Sequence, residues 1–381
     1  MKDIYEFLKN LKDEKRLKEC ELLIVNDDKQ AQEASDIVSY LGFNSYVLSD
    51  FRANFGDDLL SFSQELQDIT RSLNNYYSDK KQTKILISPI RTASYPMPKE
   101  KCFDNFTISF ADTLDLEGLK SKLYNWGYYF VDIVTSEAEA SIRGDIIDIC
   151  PLGSETGYRV SLFDDEVESI RKFDIEDQKS FKEECESFTI NPAFLALDEQ
   201  TFEQINDEVQ TVESDAFIKD IHSLGFWYLN DLGEYLPSNM NSFITKQALE
   251  ELEEVYVFEE KRLNKDKFLT LPQIYSAKKY QDIAPANVKE FISFHEDKKI
   301  NIISSSEAKI KSYDLELSNT NINYIIEPYI INLVGDDEVI ISLNKEIKKR
   351  RKKRVKLVLD ELQDGDFIVH EKHGIGQYKG I

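Results

Sequence analysis

Residues 141–180 have the sequence SIRGDIIDICPLGSETGYRVSLFDDEVESIRKFDIEDQKS, in which short apolar runs alternate with turn residues. Runs of this kind, bounded by glycine, proline or aspartate, are typical of strands joined by tight turns. With one run just before this stretch, they give four predicted strands, at residues 128–134, 145–150, 158–163 and 166–173. The pattern predicts a small antiparallel sheet.

A helix is predicted at residues 114–127, immediately before these strands. Leu116, Leu119 and Leu123 recur at helical spacing and would share one apolar face. Gly127 would end the helix, because glycine adopts the left-handed conformation at a helix C-terminus without steric cost. Helix and strands together predict an α+β module.

The segments on either side of this module show a different alternation. Before it, strands and helices alternate in the order typical of a parallel α/β sheet, with strands at 21–26, 45–48 and 84–89 and helices at 30–41 and 59–77. After it, residues 188–285 are acidic and mostly helical in pattern. A second α/β unit follows, with strands at 299–304, 323–327 and 338–343 and a helix at 307–313. Residues 365–381 predict two strands around a glycine turn.

Length and charge narrow the classes of function. A chain of 381 residues predicts roughly two to four domains. Its net charge of -24 argues against a dedicated nucleic-acid-binding protein and favours protein partners, because phosphate repels a surface of that sign. Four dispersed cysteines fit neither a zinc site nor a disulfide framework. With no signal peptide and no long apolar stretch, we expect a cytoplasmic chain and no membrane partner.

No catalytic, metal-binding or cofactor-binding residue is predicted. A phosphate-binding loop requires the pattern GxxxxGKS/T, which is absent from this sequence. His370 and His373 lack the i, i+4 spacing of a metalloprotease helix and have no nearby third ligand. Asp164, Asp165 and Glu166 are predicted to form a turn between strands, where aspartate bonds to the backbone.

A run of seven consecutive basic residues leaves two interpretations open. It could contact nucleic-acid phosphates, or it could form a solvated linker that is extended by its own repulsion. The residues are Lys348, Lys349, Arg350, Arg351, Lys352, Lys353 and Arg354.

Arg143 and Arg159 are two arginines in an acidic segment. Arg143 precedes one predicted strand and Arg159 lies in the next, so that hairpin pairing could bring them close together. Phe163 lies four residues beyond Arg159, and even spacing on a strand points both side chains the same way. Two guanidiniums beside an aromatic ring have the composition of an interface hot spot. Alternatively, the arginines pair with Asp145 or Asp148, and Phe163 belongs to the core.

A family resemblance adds to this interpretation. The motifs that carry it are RGDIIDI at 143–149, Pro151, YR at 158–159, FDDE at 163–166, ESIR at 168–171 and FD at 173–174, with GDFIVH at 365–370 and HGIGQY at 373–378. They resemble the N-terminal region of the bacterial transcription-repair coupling factor, whose first module is similar to the excision-repair protein UvrB. The second group of motifs resembles the start of its RNA-polymerase-interacting domain.

The resemblance implies a fold and a set of partners. It implies a degenerate helicase-like (RecA-type, UvrB-like) α/β domain with an inserted α+β interaction domain, followed by a small α/β domain. The implied parts are 1–108 and 182–286 for the UvrB-like domain, 109–181 for the inserted domain, 287–345 for the small domain and 346–381 for the linker and the truncated polymerase-interacting domain. Arg143, Arg159 and Phe163 match the residues with which the family binds UvrA.

The same resemblance implies that the whole factor is an ATP-driven DNA translocase acting in nucleotide excision repair. Its motor domains, which use ATP and magnesium, would lie outside this sequence, so that the fragment is expected to recruit UvrA without catalysis. RNA polymerase and DNA are expected partners of the whole factor. Two alternatives are a UvrB-type helicase subunit with ATPase activity and a fragment that binds DNA through the basic run.

Overall fold

The computed structural model describes residues 1–81, 83–214, 216, 218–259, 264–274, 279–313, 321–345, 367–370 and 374–377. The chain divides into two compact units, residues 1–344 and 345–381. None of the helices within the described ranges is long and apolar enough to cross a membrane.

Helices and strands alternate at first along the larger unit and are followed by a run of consecutive strands. Up to residue 98 they are α1 (Lys2–Asp13), β1 (Leu22–Val25), α2 (Asp28–Tyr40), β2 (Asn44–Val47), α3 (Ser63–Ser78), β3 (Lys84–Pro89), α4 (Ile90–Ala93) and β4 (Met97–Pro98). Up to residue 190 they are β5 (Phe106–Ser109), α5 (Leu116–Asn125), β6 (Tyr129–Phe130), β7 (Glu139–Arg143), β8 (Ile146–Cys150), β9 (Gly157–Phe163), β10 (Glu166–Phe173), β11 (Ser180–Glu184) and β12 (Ser187–Ile190).

The remaining elements are helical first and mixed later. They are α6 (Glu199–Thr211), α7 (Ile221–Leu224), β13 (Gly233–Glu234), α8 (Leu236–Asn239), β14 (Ser242–Ile244), α9 (Lys246–Glu259), α10 (Lys265–Leu269), β15 (Gln281–Asp282), α11 (Val288–Ser293), β16 (Lys299–Ser304), α12 (Glu307–Ser312), β17 (Ile322–Ile326), β18 (Leu333–Val334) and β19 (Glu338–Ser342).

A four-stranded parallel sheet in the order β14-β1-β3-β2 organises the first part of the chain. Its central strand β1 is buried along its whole length, as expected of a strand with helices on both faces. Separate apolar cores lie on the two faces. The predicted parallel α/β sheet is therefore confirmed, whereas strand β14 falls in the segment that was predicted to be mostly helical.

The sheet between β5 and β12 has six strands in the order β11-β10-β9-β8-β7-β6. Its pairs are antiparallel except for β6 and β7, which run parallel. Four of its strands were predicted, and β7 and β11 were missed. Arg143 precedes strand β8, as predicted, and is also the last residue of the missed strand β7. We call this element the inserted sheet, because it lies between β3 and β14 of the parallel sheet.

Helix α5 packs on one face of the inserted sheet and ends as the sequence predicted. Its Leu119 and Leu123 are buried in the same core as Val160 and Leu162 of β9. Gly127 has a φ of +87°, so that it provides the left-handed residue that ends the helix.

A five-stranded sheet in the order β15-β18-β19-β16-β17 forms the end of the larger unit. Strand β16 lies between β17 and β19 and is parallel to both. In the smaller unit, β20 (Phe367–His370) pairs antiparallel with β21 (Gly374–Gln377), as predicted. The division of the chain into five parts at residues 108, 181, 286 and 345 stays a prediction.

Candidate protein-docking surface on the inserted sheet

The two faces of strand β9 differ in polarity. Val160 and Leu162 are buried in the core beneath α5, whereas Phe163, an odd-numbered residue of the same strand, is exposed. Because side chains alternate across a strand, Arg159 and Phe163 point away from this core on the opposite face. The predicted common direction of these two side chains is in keeping with the burial pattern.

Strand register places a row of polar residues across this outer face. Asp148 lies opposite Arg159 on β9 and opposite Ser141 on β7. The row continues through Arg171 on β10 to Glu184 on β11. Residues in direct register lie on one face of a sheet, so that these side chains are neighbours.

Both candidate arginines bind the same carboxylate, that of Asp148. Arg159 donates from Nε to Oδ1 at 2.7 Å and from Nη2 to Oδ2 at 2.9 Å. Arg143 donates from Nη2 to Oδ2 at 2.9 Å. The Arg159 guanidinium also lies 4.8 Å from the centre of the Phe173 ring and donates to Ser180 Oγ at 3.3 Å. The structure thus brings Arg143 and Arg159 together around one acidic group.

Burial differs strongly among these charged side chains. The side chain of Asp148 is only 1% exposed, that of Arg159 is 26% exposed and that of Arg143 is 53% exposed. The hydrogen bonds to Asp148 raise the pKa of the Arg159 guanidinium above its ordinary value. Two guanidiniums and one carboxylate give the cluster a net charge of +1. Arg143 is the more exposed of the two arginines.

Phe163 lies outside the core, so that this part of the alternative made from sequence was wrong. The other part, that the arginines pair with Asp148, is confirmed. Its ring is 71% exposed at the end of β9, directly before the turn that begins at Asp164, whose φ is +57°. Ile146 of β8 is also exposed, at 40%, and pairs with both Arg143 and Ser161. Ser161 precedes Phe163 by two residues, so that Ile146 and Phe163 lie on the same face.

The docking surface is defined here as five residues of this outer face: Arg143, Ile146, Asp148, Arg159 and Phe163. Sequence reasoning missed Ile146, because an isoleucine within an apolar run is normally a core residue. The signal that could have found it is its pairing with Arg143 across a tight two-residue turn. Asp148 was considered as a partner of the arginines, and the structure shows that it binds both of them.

A nearby ion pair between an arginine and a glutamate differs from the Asp148 cluster in its burial. Arg171 donates from Nη2 to Glu184 Oε1 at 2.6 Å, but both side chains are about half exposed. Exposed ion pairs of this kind contribute little to stability, because water and salt screen them. Burial of the shared carboxylate therefore distinguishes the docking surface from the rest of the row.

The carboxyl edge of the parallel sheet is occupied by the chain's own polar groups. Asp27 follows β1 and accepts the backbone N–H of Gln30 at 2.9 Å, which caps the N-terminus of α2. Gln30 Oε1 accepts hydrogen bonds from the Asn26 N–H and from Thr245 Oγ, both at 2.8 Å. In nucleotide-binding sheets, the corresponding helix N-terminus faces a phosphate. Here a carboxylate lies at that position.

The remaining candidates from the sequence are the basic run, the histidines and the acidic turn. The basic run Lys348–Arg354 and His373 lie outside the described residues, so that both interpretations of the run stay open. Asp164 and Asp165 form the predicted turn between β9 and β10, whereas Glu166, predicted to belong to this turn, is the first residue of β10. Within the described ranges, no group of His, Cys, Asp or Glu side chains could hold a metal ion.

Comparison with known families places the docking surface inside a recognised domain. Residues 106–195 match the UvrB interaction domain, and residues 362–381 match the CarD-like/TRCF RID domain. All five residues of the docking surface lie within the first match.

Comparison with individual proteins gives a consistent result. The chain is 33% identical over 367 residues to the transcription-repair-coupling factor of Helicobacter pylori (strain ATCC 700392 / 26695), covering 95% of this chain and 36% of that protein. It is also 33% identical to the factor of Bacillus subtilis (strain 168), over 45% of this chain and 15% of the relative. For the factor of Escherichia coli (strain K12), the identity is 33% over 35% of this chain and 12% of the relative. The chain therefore spans about a third of the length of the Helicobacter relative.

Proposed function

Since this chain is related along 95% of its length to transcription-repair-coupling factors, we propose that it is the part of such a factor that recruits UvrA to RNA polymerase stalled at DNA lesions. The docking surface of the inserted sheet would make the contact with UvrA. The chain would act in the cytoplasm, within nucleotide excision repair coupled to transcription.

The observation that carries this proposal is the exposed Phe163 ring beside two guanidiniums held on a buried carboxylate. Aromatic rings and arginines are the residue types enriched at interface hot spots, so that this combination on one face indicates a protein-binding surface. The match to the UvrB interaction domain over residues 106–195 supports a partner from excision repair. The family resemblance described above implies that this partner is UvrA.

The proposed mechanism combines two kinds of contact. Guanidinium groups bind carboxylates of the partner through short, charge-assisted hydrogen bonds with fixed geometry. The Phe163 ring enters an apolar pocket of the partner and excludes water around those bonds. Affinity would then depend on a few central residues and not on the total area of the interface.

We further propose that the chain recruits its partners without catalysis of its own. Asp27 caps the helix N-terminus at which a phosphate would bind, and its charge would repel a nucleotide. ATP and magnesium would act in the motor domains of the whole factor. The match to the CarD-like/TRCF RID domain supports RNA polymerase as a second partner of the whole factor. In a phosphate-release assay with ATP, we expect no hydrolysis above the level of a sample without protein.

Isothermal titration of the chain with purified UvrA tests the proposal. Replacing Phe163 with alanine should weaken binding about tenfold or more, the usual effect at an interface hot spot. Phe294→Ala is the matched control. Phe294 is also strongly exposed, at 76%, but it lies directly after α11, outside the inserted sheet. Equal affinities for the two variants would contradict the proposed surface, and absence of binding by the unaltered chain would contradict the proposed partner.

A further inference from the structure

Asp148 occupies an unusual position for an acidic residue at a surface that binds carboxylates. We infer that Asp148 positions Arg143 and Arg159 as one receptor for a single carboxylate of the partner, and that Ile146 and Phe163 form the adjoining apolar contact. The inference rests on the proposed function and assigns the chemistry of the partner and the role of a residue that does not itself touch it.

The hydrogen bonds to Asp148 fix the arginines before any partner arrives. A free arginine side chain loses rotamer freedom when it binds, and this loss opposes association. Arg159 is held through both Nε and Nη2, so that the plane of its guanidinium is set by Asp148. Arg143 is held through Nη2 on the same oxygen that accepts from Arg159 Nη2. Two flexible cations therefore become one cluster with defined donor directions.

The charge of the cluster limits what it can bind. Two guanidiniums and the Asp148 carboxylate sum to one positive charge, which one partner carboxylate would neutralise. Arg143 is half exposed, and within the described part of the chain its guanidinium donates to Asp148 through one nitrogen. Its other N–H groups can meet an oxygen of the partner.

The apolar half of the surface lies next to these donors. Ile146 is the direct cross-strand neighbour of Arg143, and Phe163 lies two residues beyond Ser161, the next partner in the same row. The partner segment that fits this arrangement has an acidic side chain followed by an apolar one. A purely basic segment, or nucleic acid, would lack the apolar group that covers Ile146 and Phe163.

Replacing Asp148 with asparagine separates positioning from simple charge attraction. The substitution keeps the shape of the side chain and adds one net positive charge to the cluster. If attraction alone governed binding, the variant would bind an acidic partner more tightly. If Asp148 positions the arginines, the variant binds less tightly, although its net charge is more favourable.

The experiment measures association and dissociation rates of the chain on immobilised UvrA, for the unaltered protein, Asp148→Asn and Glu184→Gln. Glu184 is the matched control, because it also accepts a hydrogen bond from an arginine of the same row but is exposed. We expect Asp148→Asn to raise the dissociation rate about tenfold with little change in the association rate, since losses of ordered contacts act mainly on dissociation. Glu184→Gln should behave like the unaltered chain.

A second variant tests the inference if the first does not fold. If Asp148→Asn does not fold, Arg143→Lys replaces it, because this variant leaves the Arg159–Asp148 pair intact and should still lose about tenfold in affinity through its single-point donor geometry. Unchanged or tighter binding of Asp148→Asn, or full affinity of a folded Arg143→Lys, would overturn the inference alone. Absence of UvrA binding by the unaltered chain would instead overturn the proposed function on which the inference rests.

Discussion

Replacing Arg159 with alanine should destabilise the inserted sheet by about 2 kcal/mol, apart from any effect on partner binding. Removing one partner of a buried ion pair costs about 3–5 kcal/mol, because the other charge stays buried without compensation. Among the described residues, Arg159 donates two of the three arginine hydrogen bonds that Asp148 accepts. The cost is discounted because Arg159 is 26% exposed and Arg143 remains on the carboxylate.

The two tryptophans of the chain offer a local assay for this effect. Trp126 is buried in the core of the inserted sheet, and Trp227 is buried in a core of the parallel sheet. In a Trp227→Phe background, Trp126 is the one remaining tryptophan, and its fluorescence reports loss of the core of the inserted sheet. Urea titrations of Arg159→Ala and of its parent in this background then give the difference in the free energy of unfolding.

Arg171→Ala provides the matched comparison in the same assay. Arg171 lies directly opposite Arg159, but its partner Glu184 is exposed, so that the loss should be below about 1 kcal/mol. Arg143→Ala should fall between the two, because it removes one hydrogen bond from a half-exposed side chain. If Arg159→Ala and Arg171→Ala had the same urea midpoint, the reasoning from the burial of Asp148 would be refuted.

Three further outcomes are expected. Ile146→Ser should weaken UvrA binding in calorimetry about threefold or more while leaving the thermal midpoint nearly unchanged, because Ile146 is 40% exposed. Gly127→Ala should lower the stability by about 1–2 kcal/mol in urea titrations, because its φ is +87° and the new Cβ would approach the Phe194 Cβ to 2.6 Å. Burial lowers the pKa of His222, so that its contribution to stability is complete above about pH 6.5 and is lost as the pH falls. His222→Phe should therefore reduce the drop in thermal midpoint between pH 7.5 and 5.5.

Much of the strand pattern followed from apolar runs between turn residues. Strands β3 and β16 were predicted with the observed bounds, because each is buried after its first residue and lies between two parallel neighbours. Strand β11 could not be found in this way, because all five of its residues, Ser180–Glu184, are exposed. It forms through backbone pairing to β10, and backbone pairing leaves no side-chain pattern in the sequence. Strand β14 is only three residues long and depends on a neighbour more than 200 residues away.

The candidate site shows the same division between local and tertiary information. The period of a strand was sufficient to place Arg159 and Phe163 on one face. It could not tell whether Asp145 or Asp148 would bind the arginines, because that choice depends on the register of three strands. The exposure of Phe163 likewise depends on which face of the sheet α5 covers, and α5 packs on the face opposite to Phe163. Register and layer packing are tertiary properties, so that a single sequence constrains them weakly.

The net charge of -24 is compatible with the proposed binding of a partner carboxylate, because the overall charge and the hydrogen bonds act over different distances. At physiological salt the Debye length is about 8 Å, so that most of the chain's carboxylates are screened from a partner that has already docked. Hydrogen bonds from Arg143 and Arg159 act at contact distance, where screening is weak. The excess of acid thus gives no electrostatic steering toward an acidic partner, and the affinity must come from slow dissociation. Slow dissociation requires ordered hydrogen-bond donors. Asp148 would order the two guanidiniums, and its carboxylate neutralises one of their two positive charges.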